Sequence, residues 1–309
     1  MYPKWNKSEF SSFTKAALRG ISQVILVENA LTGFVVLLGI TAASFSFGMV
    51  AVLSTMIGTA AGRLGRVERA LVNQGLFGYN AVLTGIGIFV FLQGSNRWWI
   101  ALIGAFLSTV VTAAMMQWLA KLKIPVLTFP FAVLTWLILL VSYRFEAVKI
   151  GPTLSPAALS AVTINRNETP DMISGWIHGI GQVYIMDHLW AGILILVGVF
   201  LAGWKQGLLA LGGSIVGWST AYFLRADMSW LNTGLYGYNA ALTFLAIGGV
   251  FGHGNKTALI AGAVGAAFSV PMTAGISVFL APYGLPAFTM PFILTTWLYL
   301  GSRQFLRNW

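Results

Sequence analysis

Residues 257–302 contain no Asp, Glu, Lys or Arg, and neither do residues 32–62, 70–96, 98–120, 124–143 and 228–252. Chain this long and apolar has too few ionic groups to cover a surface facing water. A membrane span needs about 20 mostly apolar residues, so most of these runs hold one span, and 32–62 and 257–302 are long enough for two. The total comes to about ten. Inside a bilayer every backbone amide must be satisfied within the chain, which favours helices. Only 8% of the residues are charged, against about 25% in soluble domains. The expected fold is an all-α membrane protein.

The chain also repeats itself. NQGLFGYNAVLT at 73–84 aligns with NTGLYGYNAALT at 232–243, with nine of the twelve positions identical, 159 residues on. The same offset pairs GISQV at 20–24 with GIGQV at 179–183, Gly33 with Gly192, Gly39 with Gly198 and Arg66 with Arg225. At an offset of 161, PVLTFPF at 125–131 meets PAFTMPF at 286–292, followed in step by Trp136 and Trp297. Three collinear matches indicate duplication. The expected division is a first repeat over 1–150, an extramembrane linker over 151–178 that holds Pro152, Pro156 and Pro170, and a second repeat over 179–309.

The net charge of +10 would suggest nucleic acid in a soluble protein. Here it reads as basic residues in cytoplasmic loops. If each half has five spans and a short re-entrant segment, with the N-terminus inside, 13 of the 18 Lys and Arg fall on the cytoplasmic side. Both termini are then cytoplasmic. An odd number of spans inverts the second half, and inverted repeats place a shared site at the midplane between them. Cysteine is absent, which excludes disulfides. No removable signal peptide is expected at the N-terminus.

Candidate pore residues come in matched pairs. Pro125/Pro130 and Pro286/Pro291 each bracket a threonine, Thr128 or Thr289. Proline lacks an amide donor and clashes with the carbonyl four residues back, which would free the carbonyls of Lys121, Val126, Pro282 and Ala287. Broken backbone at membrane depth belongs beside a polar cavity; the alternative is that Pro130 and Pro291 simply start a helix. Tyr79 and Tyr238, with Asn80 and Asn239 beside them, need polar partners at depth. They line a path or support one. The glycines around them allow close helix packing. Gln23 and Gln182 can present amide carbonyls, or can be ordinary residues at helix ends. Glu28 and Asp187 are expected as interfacial charges capping helix N-termini.

His178, His188 and His253 form no matched pair across the halves, and no metal spacing, nucleophile–base pair or phosphate loop is visible. An enzyme is not expected, nor a cofactor. The few acidic residues lie mostly near span ends, which argues against a buried carboxylate relay and for passive conduction.

Taken together, Gln-Val near the start with Thr32-Gly33 downstream, both NxGLxGYNxxL segments and both PxxTxPF segments resemble the urea transporter family. The resemblance covers residues 20–139 and 179–300. It implies ten spans in two inverted halves with two re-entrant half-membrane helices, one pore per subunit, a homotrimer, and a bacterial inner-membrane location. It implies Gln23, Gln182, Thr128 and Thr289 as the oxygen-bearing side of the pore, and Tyr79, Tyr238, Leu83 and Leu242 as its walls. The family usually has Phe where this chain has Tyr79 and Tyr238. Its usual Asn-Asn-Pro before Thr-Gly is replaced here by Glu28-Asn29-Ala30, and by Asp187-His188-Leu189 in the second half.

Urea suits such a path. It is flat and neutral, with four N–H donors and one carbonyl, and an unsatisfied amide in an apolar setting costs roughly 2–7 kcal/mol. The other expectation from the same features is a channel for another small neutral solute, such as a short amide, ammonia or water. No bound partner beyond solute, lipid and further copies of the chain is expected.

Overall fold

The computed structural model describes residues 7–252 and 254–305. His253, Lys4 and Arg307, used above for pairing or charge counting, lie outside them. Fourteen α-helices occur among the described residues. The first seven are α1 (Lys7–Gln23), α2 (Ala30–Ala43), α3 (Phe45–Leu64), α4 (Arg69–Asn73), α5 (Tyr79–Phe91), α6 (Arg97–Ala120) and α7 (Phe129–Val141). The rest are α8 (Met172–Gly181), α9 (Leu189–Ala202), α10 (Trp204–Phe223), α11 (Met228–Asn232), α12 (Gly237–Phe244), α13 (Lys256–Leu280) and α14 (Met290–Phe305). Helices α9, α10 and α11 each begin 159 residues after α2, α3 and α4.

Three helices are long and apolar enough to cross a membrane unaided: α3, α6, and α13 with its extension to Tyr283. The other apolar helices are shorter because loops interrupt them. One such pair, Met172–Tyr184 and Leu189–Ala202, bends by 77°. Helix α12 continues as a π-helical segment, Leu245–Val250.

Local chemistry sets the helix starts. Asn29, not Glu28, caps α2, accepting from the amides of Leu31 and Thr32 at 2.8 and 3.2 Å. His188, not Asp187, caps α9, where Nδ1 accepts from Ala191 N. This corrects the expectation for the two acids: each stands one residue before the cap and turns instead to a basic side chain on the preceding helix, Arg19 or His178. Pro130 occupies the first turn of α7, where its missing amide costs nothing. Pro291 stands at the same place in α14. The carbonyl of Ala287, expected to be left free, accepts from Met290 N. The breaks therefore end before these prolines, in the loops at 124–128 and 284–289.

Helices α2 and α9 cross at the centre. Thr32 Oγ1 donates to Gly198 O at 2.8 Å. A Cβ on Gly39 would stand 3.2 Å from Ala191 O, and one on Gly198 would stand 3.3 Å from Thr32 O. The missing side chains bring the two backbones together.

Two features depart from an all-α reading with a linker over 151–178. Leu92–Gln93 pairs antiparallel with Lys149–Ile150 in a two-residue ladder. Helix α8 already begins at Met172, capped by Asp171, whose side chain accepts from Ser174 N. The irregular stretch before α8 is tied down at Asp227, which accepts from Asn165 N at 2.7 Å. Partial burial raises the Asp227 carboxyl, but bonds from the Ser229 hydroxyl and the amides of Asn165, Trp230 and Ser229 outweigh it and hold the group below the usual carboxylate range.

Candidate functional site

Two loops meet in the interior, and both are built the same way. In each, one non-glycine residue takes the left-handed conformation, Leu127 at φ 52° and Phe288 at φ 47°. Such backbone persists only where its surroundings hold it. Leu127 O accepts from the Tyr79 hydroxyl at 2.8 Å and from Asn80 Nδ2 at 3.2 Å. Asn80 Oδ1 then accepts from Phe131 N, an amide in the first turn of α7 with no helical partner of its own. The second loop matches. Phe288 O accepts from the Tyr238 hydroxyl at 2.6 Å and Asn239 Nδ2 at 3.2 Å, and Asn239 Oδ1 accepts from Phe292 N. The tyrosine and asparagine side chains thus spend their polar atoms on holding the loops. The two hydroxyls that set Tyr79 and Tyr238 apart from phenylalanine are anchors rather than open donors.

The loops are also tied to each other. Trp136 Nε1 donates to Pro286 O and Trp297 Nε1 donates to Pro125 O, both at 2.8 Å. Between them the Oγ1 atoms of Thr128 and Thr289 lie 2.6 Å apart, and either can donate. Both threonines are buried.

Gln23 and Gln182 close α1 and α8. Gln23 Nε2 donates to Gln74 O at 3.0 Å, and Gln182 Nε2 donates to Thr233 O at 3.1 Å. With the nitrogen committed, Oε1 is the atom each glutamine has to offer as an acceptor. Each is followed by a loop with a left-handed residue, Leu26 at φ 60° and Ile185 at φ 62°.

A cavity of about 340 Å³ opens beside these groups. Gln23, Leu26, Tyr79, Leu127, Thr128 and Phe292 are among its lining residues. Gln182, Thr289, Tyr238, Leu83 and Leu242 do not line it. Leu83 and Leu242 are fully buried; each stands one turn beyond its tyrosine, on the same helix face. The second loop carries Phe288 where the first has Leu127. The Phe288 ring lies 4.8 Å from that of Phe131 and 5.7 Å from that of Phe91. Larger hollows of about 650 and 760 Å³ lie elsewhere, at the ends of α1 and α3 and against the π-helical segment, and hold none of the paired pore candidates.

Several participants were missing from the sequence reading. The carbonyls of Leu127 and Phe288, and the left-handed turns at Leu26 and Ile185, give no compositional sign because none is a glycine. The cross-ties from Trp136 and Trp297 had a signal, since both tryptophans keep step with the repeat.

A family model described as urea transporter matches residues 14–304. Urea transporter 1 of Ovis aries is 31% identical over 306 residues, covering 96% of this chain and 78% of that protein. Urea transporter 1 of Rattus norvegicus is 30% identical over 289 residues, covering 92% of this chain and 75% of the relative.

Proposed function

This chain belongs to the urea transporter family, and from that premise we propose that it conducts urea passively, through a path that runs from the Gln23 side past Thr128 and Thr289 to the Gln182 side. A protein of this family is a transporter and not an enzyme. The observation that carries the proposed route is the 2.6 Å contact between Thr128 and Thr289, where the two interrupted segments meet in the buried interior.

Urea entering the 340 Å³ cavity loses water and needs acceptors for its N–H groups. Gln23 Oε1 is an acceptor at the cavity side and Thr128 Oγ1 one at its inner end. Thr289 Oγ1 and Gln182 Oε1 repeat the pair beyond. At the centre the two hydroxyls bond each other, and urea replaces that bond with its own. The exchange is nearly neutral, because a net hydrogen bond is worth about 0.5–1.5 kcal/mol. Tyr79, Leu83, Tyr238 and Leu242 form the flat walls on either side. A cation finds no carboxylate among these residues to replace its hydration, which opposes ion passage.

The paired helix starts at an offset of 159 residues support two repeats of seven helical elements each. In this reading they are inverted, the first half running to residue 150 and the second starting with α8 at Met172 after the connection, with about ten spans and two re-entrant segments. The excess of Lys and Arg on one side favours cytoplasmic termini in a bacterial inner membrane. Exposed apolar faces, such as Trp99, Ile103 and Phe106 on α6, fit lipid and the contacts of a homotrimer. The test of the route is urea flux into proteoliposomes for wild type and for the Thr128→Val/Thr289→Val double variant. A large fall in flux per folded molecule supports the route, and unchanged flux removes the threonines from it.

A further inference from the structure

The loops that follow Gln23 and Gln182 are each closed by a contact between a basic and an acidic side chain at matching positions, and the two contacts differ in both residues. In the first, Arg19 on the last turns of α1 lies 3.7 Å from Glu28, just before α2. In the second, His178 on α8 lies 2.8 Å from Asp187, just before α9. Residues 178 and 187 stand 159 positions after 19 and 28, the offset of the repeat. Arginine is charged at every physiological pH. Histidine changes charge between about pH 5 and 8.

We propose that His178 and Asp187 are positioning residues that hold the Gln182 loop in register for urea, and that this loop, unlike its arginine-clamped counterpart, loosens when His178 loses its proton. The proposal rests on the pore reading above and deepens it. Its geometric basis is the 2.8 Å approach of the buried His178 Nδ1 to the Asp187 carboxylate, the contact that ties the end of α8 to the start of α9. The contact is strongest when His178 is protonated, because a charged donor makes a hydrogen bond to a carboxylate roughly twice as strong as a neutral one does. A neutral imidazole holds the carboxylate only through an ordinary N–H hydrogen bond, without the added attraction of the charge.

The clamp spans a short loop with a job. Its ends are Gln182, whose Nε2 holds Thr233 O, and His188, which caps α9. Ile185 sits between them in the left-handed conformation, fixed by Ile185 N donating to Gln182 O and Met186 N donating to Gly181 O. Releasing Asp187 frees the end of this loop, and with it the angle of Gln182.

Other charges near His178 are few. Asp171 caps the opposite end of α8. Helix α9 carries no Asp, Glu, Lys or Arg beyond its cap His188, α10 carries Lys205 in its first turn and Tyr222 near its end, Asp227 caps α11, and α12 adds Tyr238 after Tyr236. Asp187 is the acid paired with the imidazole.

The sign follows directly. Protonated His178 clamps the loop more tightly than neutral His178 does, so flux is expected to fall as pH rises. The test is urea flux into proteoliposomes with equal pH on both sides, from pH 5.5 to 8.5, normalised to folded protein. Wild type, His178→Arg, His178→Gln and Arg19→His are compared, with thermal melting of each as a control for folding. Expected are a two- to fivefold fall for wild type across the range, a flat high profile for His178→Arg, a flat low profile for His178→Gln, and a steeper fall for Arg19→His. A flat wild-type profile, or a wild-type profile retained by His178→Arg, overturns the proposal. Absence of urea flux in every variant at every pH overturns the pore reading instead.

Discussion

Thr128 and Thr289 bond each other, so removing one hydroxyl strands its partner while removing both does not. A single Thr128→Val leaves a buried hydroxyl unpaired, at a cost of about 1–3 kcal/mol of stability, whereas replacing both by apolar groups of the same shape is nearly neutral. The double variant is therefore expected to melt above either single one. Flux is expected to order differently, lowest in the double variant, which offers urea no central acceptor, at roughly tenfold per 1.4 kcal/mol lost. Melting and flux measured on the same purified samples check both orders, and a double variant that melts lowest and conducts normally would assign the pair to stability alone. The neighbouring network yields a second expectation. Asn80→Leu removes the donor to Leu127 O and the acceptor for Phe131 N together, so it is expected to cost several kcal/mol. Tyr79→Phe removes one of two donors to the same carbonyl and is expected to cost about 0.5–1.5 kcal/mol. Thermal unfolding in detergent compares them, and equal losses would contradict the shared-carbonyl arrangement.

Helix contacts depend on absent side chains. A Cβ at Gly33 would lie within 2 Å of Leu18 O, wedging α2 away from α1, and one at Gly192 would meet Ile177 O between α9 and α8. Gly33→Ala and Gly192→Ala are each expected to destabilise by about 1–3 kcal/mol, as overpacking does. Gly275→Ala in α13, where nothing lies within 4 Å, is expected to be neutral or to stabilise by up to about 1 kcal/mol. Melting temperatures of the three decide, and a tolerated Gly33→Ala would contradict the close α1–α2 contact. The helical class and the positions of the interruptions were legible because charge-free runs and paired prolines are written directly in the sequence. The tyrosine–asparagine pairs announced a polar network, since buried hydroxyls and amides need partners. What stayed hidden depends on conformation rather than composition. Leu127, Phe288, Leu26 and Ile185 adopt left-handed backbone without being glycine, and the bonds that hold Leu127 and Phe288 come from α5 and α12, far along the chain. The capping role went to Asn29 and His188 rather than to the acids beside them because the cap requires a side-chain acceptor at the residue with extended backbone. The two-residue ladder at Leu92–Gln93 is too short to leave a periodic trace.

At the scale of the whole chain, α2 packs on α9 and the two proline-flanked loops meet, so that each proposed half supplies one threonine to the proposed path. An inverted arrangement predicts opposite membrane exposure for matched positions. Single cysteines introduced at Arg66 and Arg225, in a chain that has no cysteine of its own, are expected to react with impermeant reagents from opposite sides, and labelling of both from one side would contradict inversion. Among the described residues no Asp or Glu is buried, which leaves the proposed path without a carboxylate relay to couple solute to an ion. The most direct measurement is therefore urea entry into proteoliposomes holding the purified wild-type protein, with and without imposed proton and sodium gradients. The account predicts rapid entry that follows the urea gradient alone and is unchanged when the ion gradients collapse. Entry no faster than into protein-free liposomes, or entry abolished by collapsing an ion gradient, would contradict it.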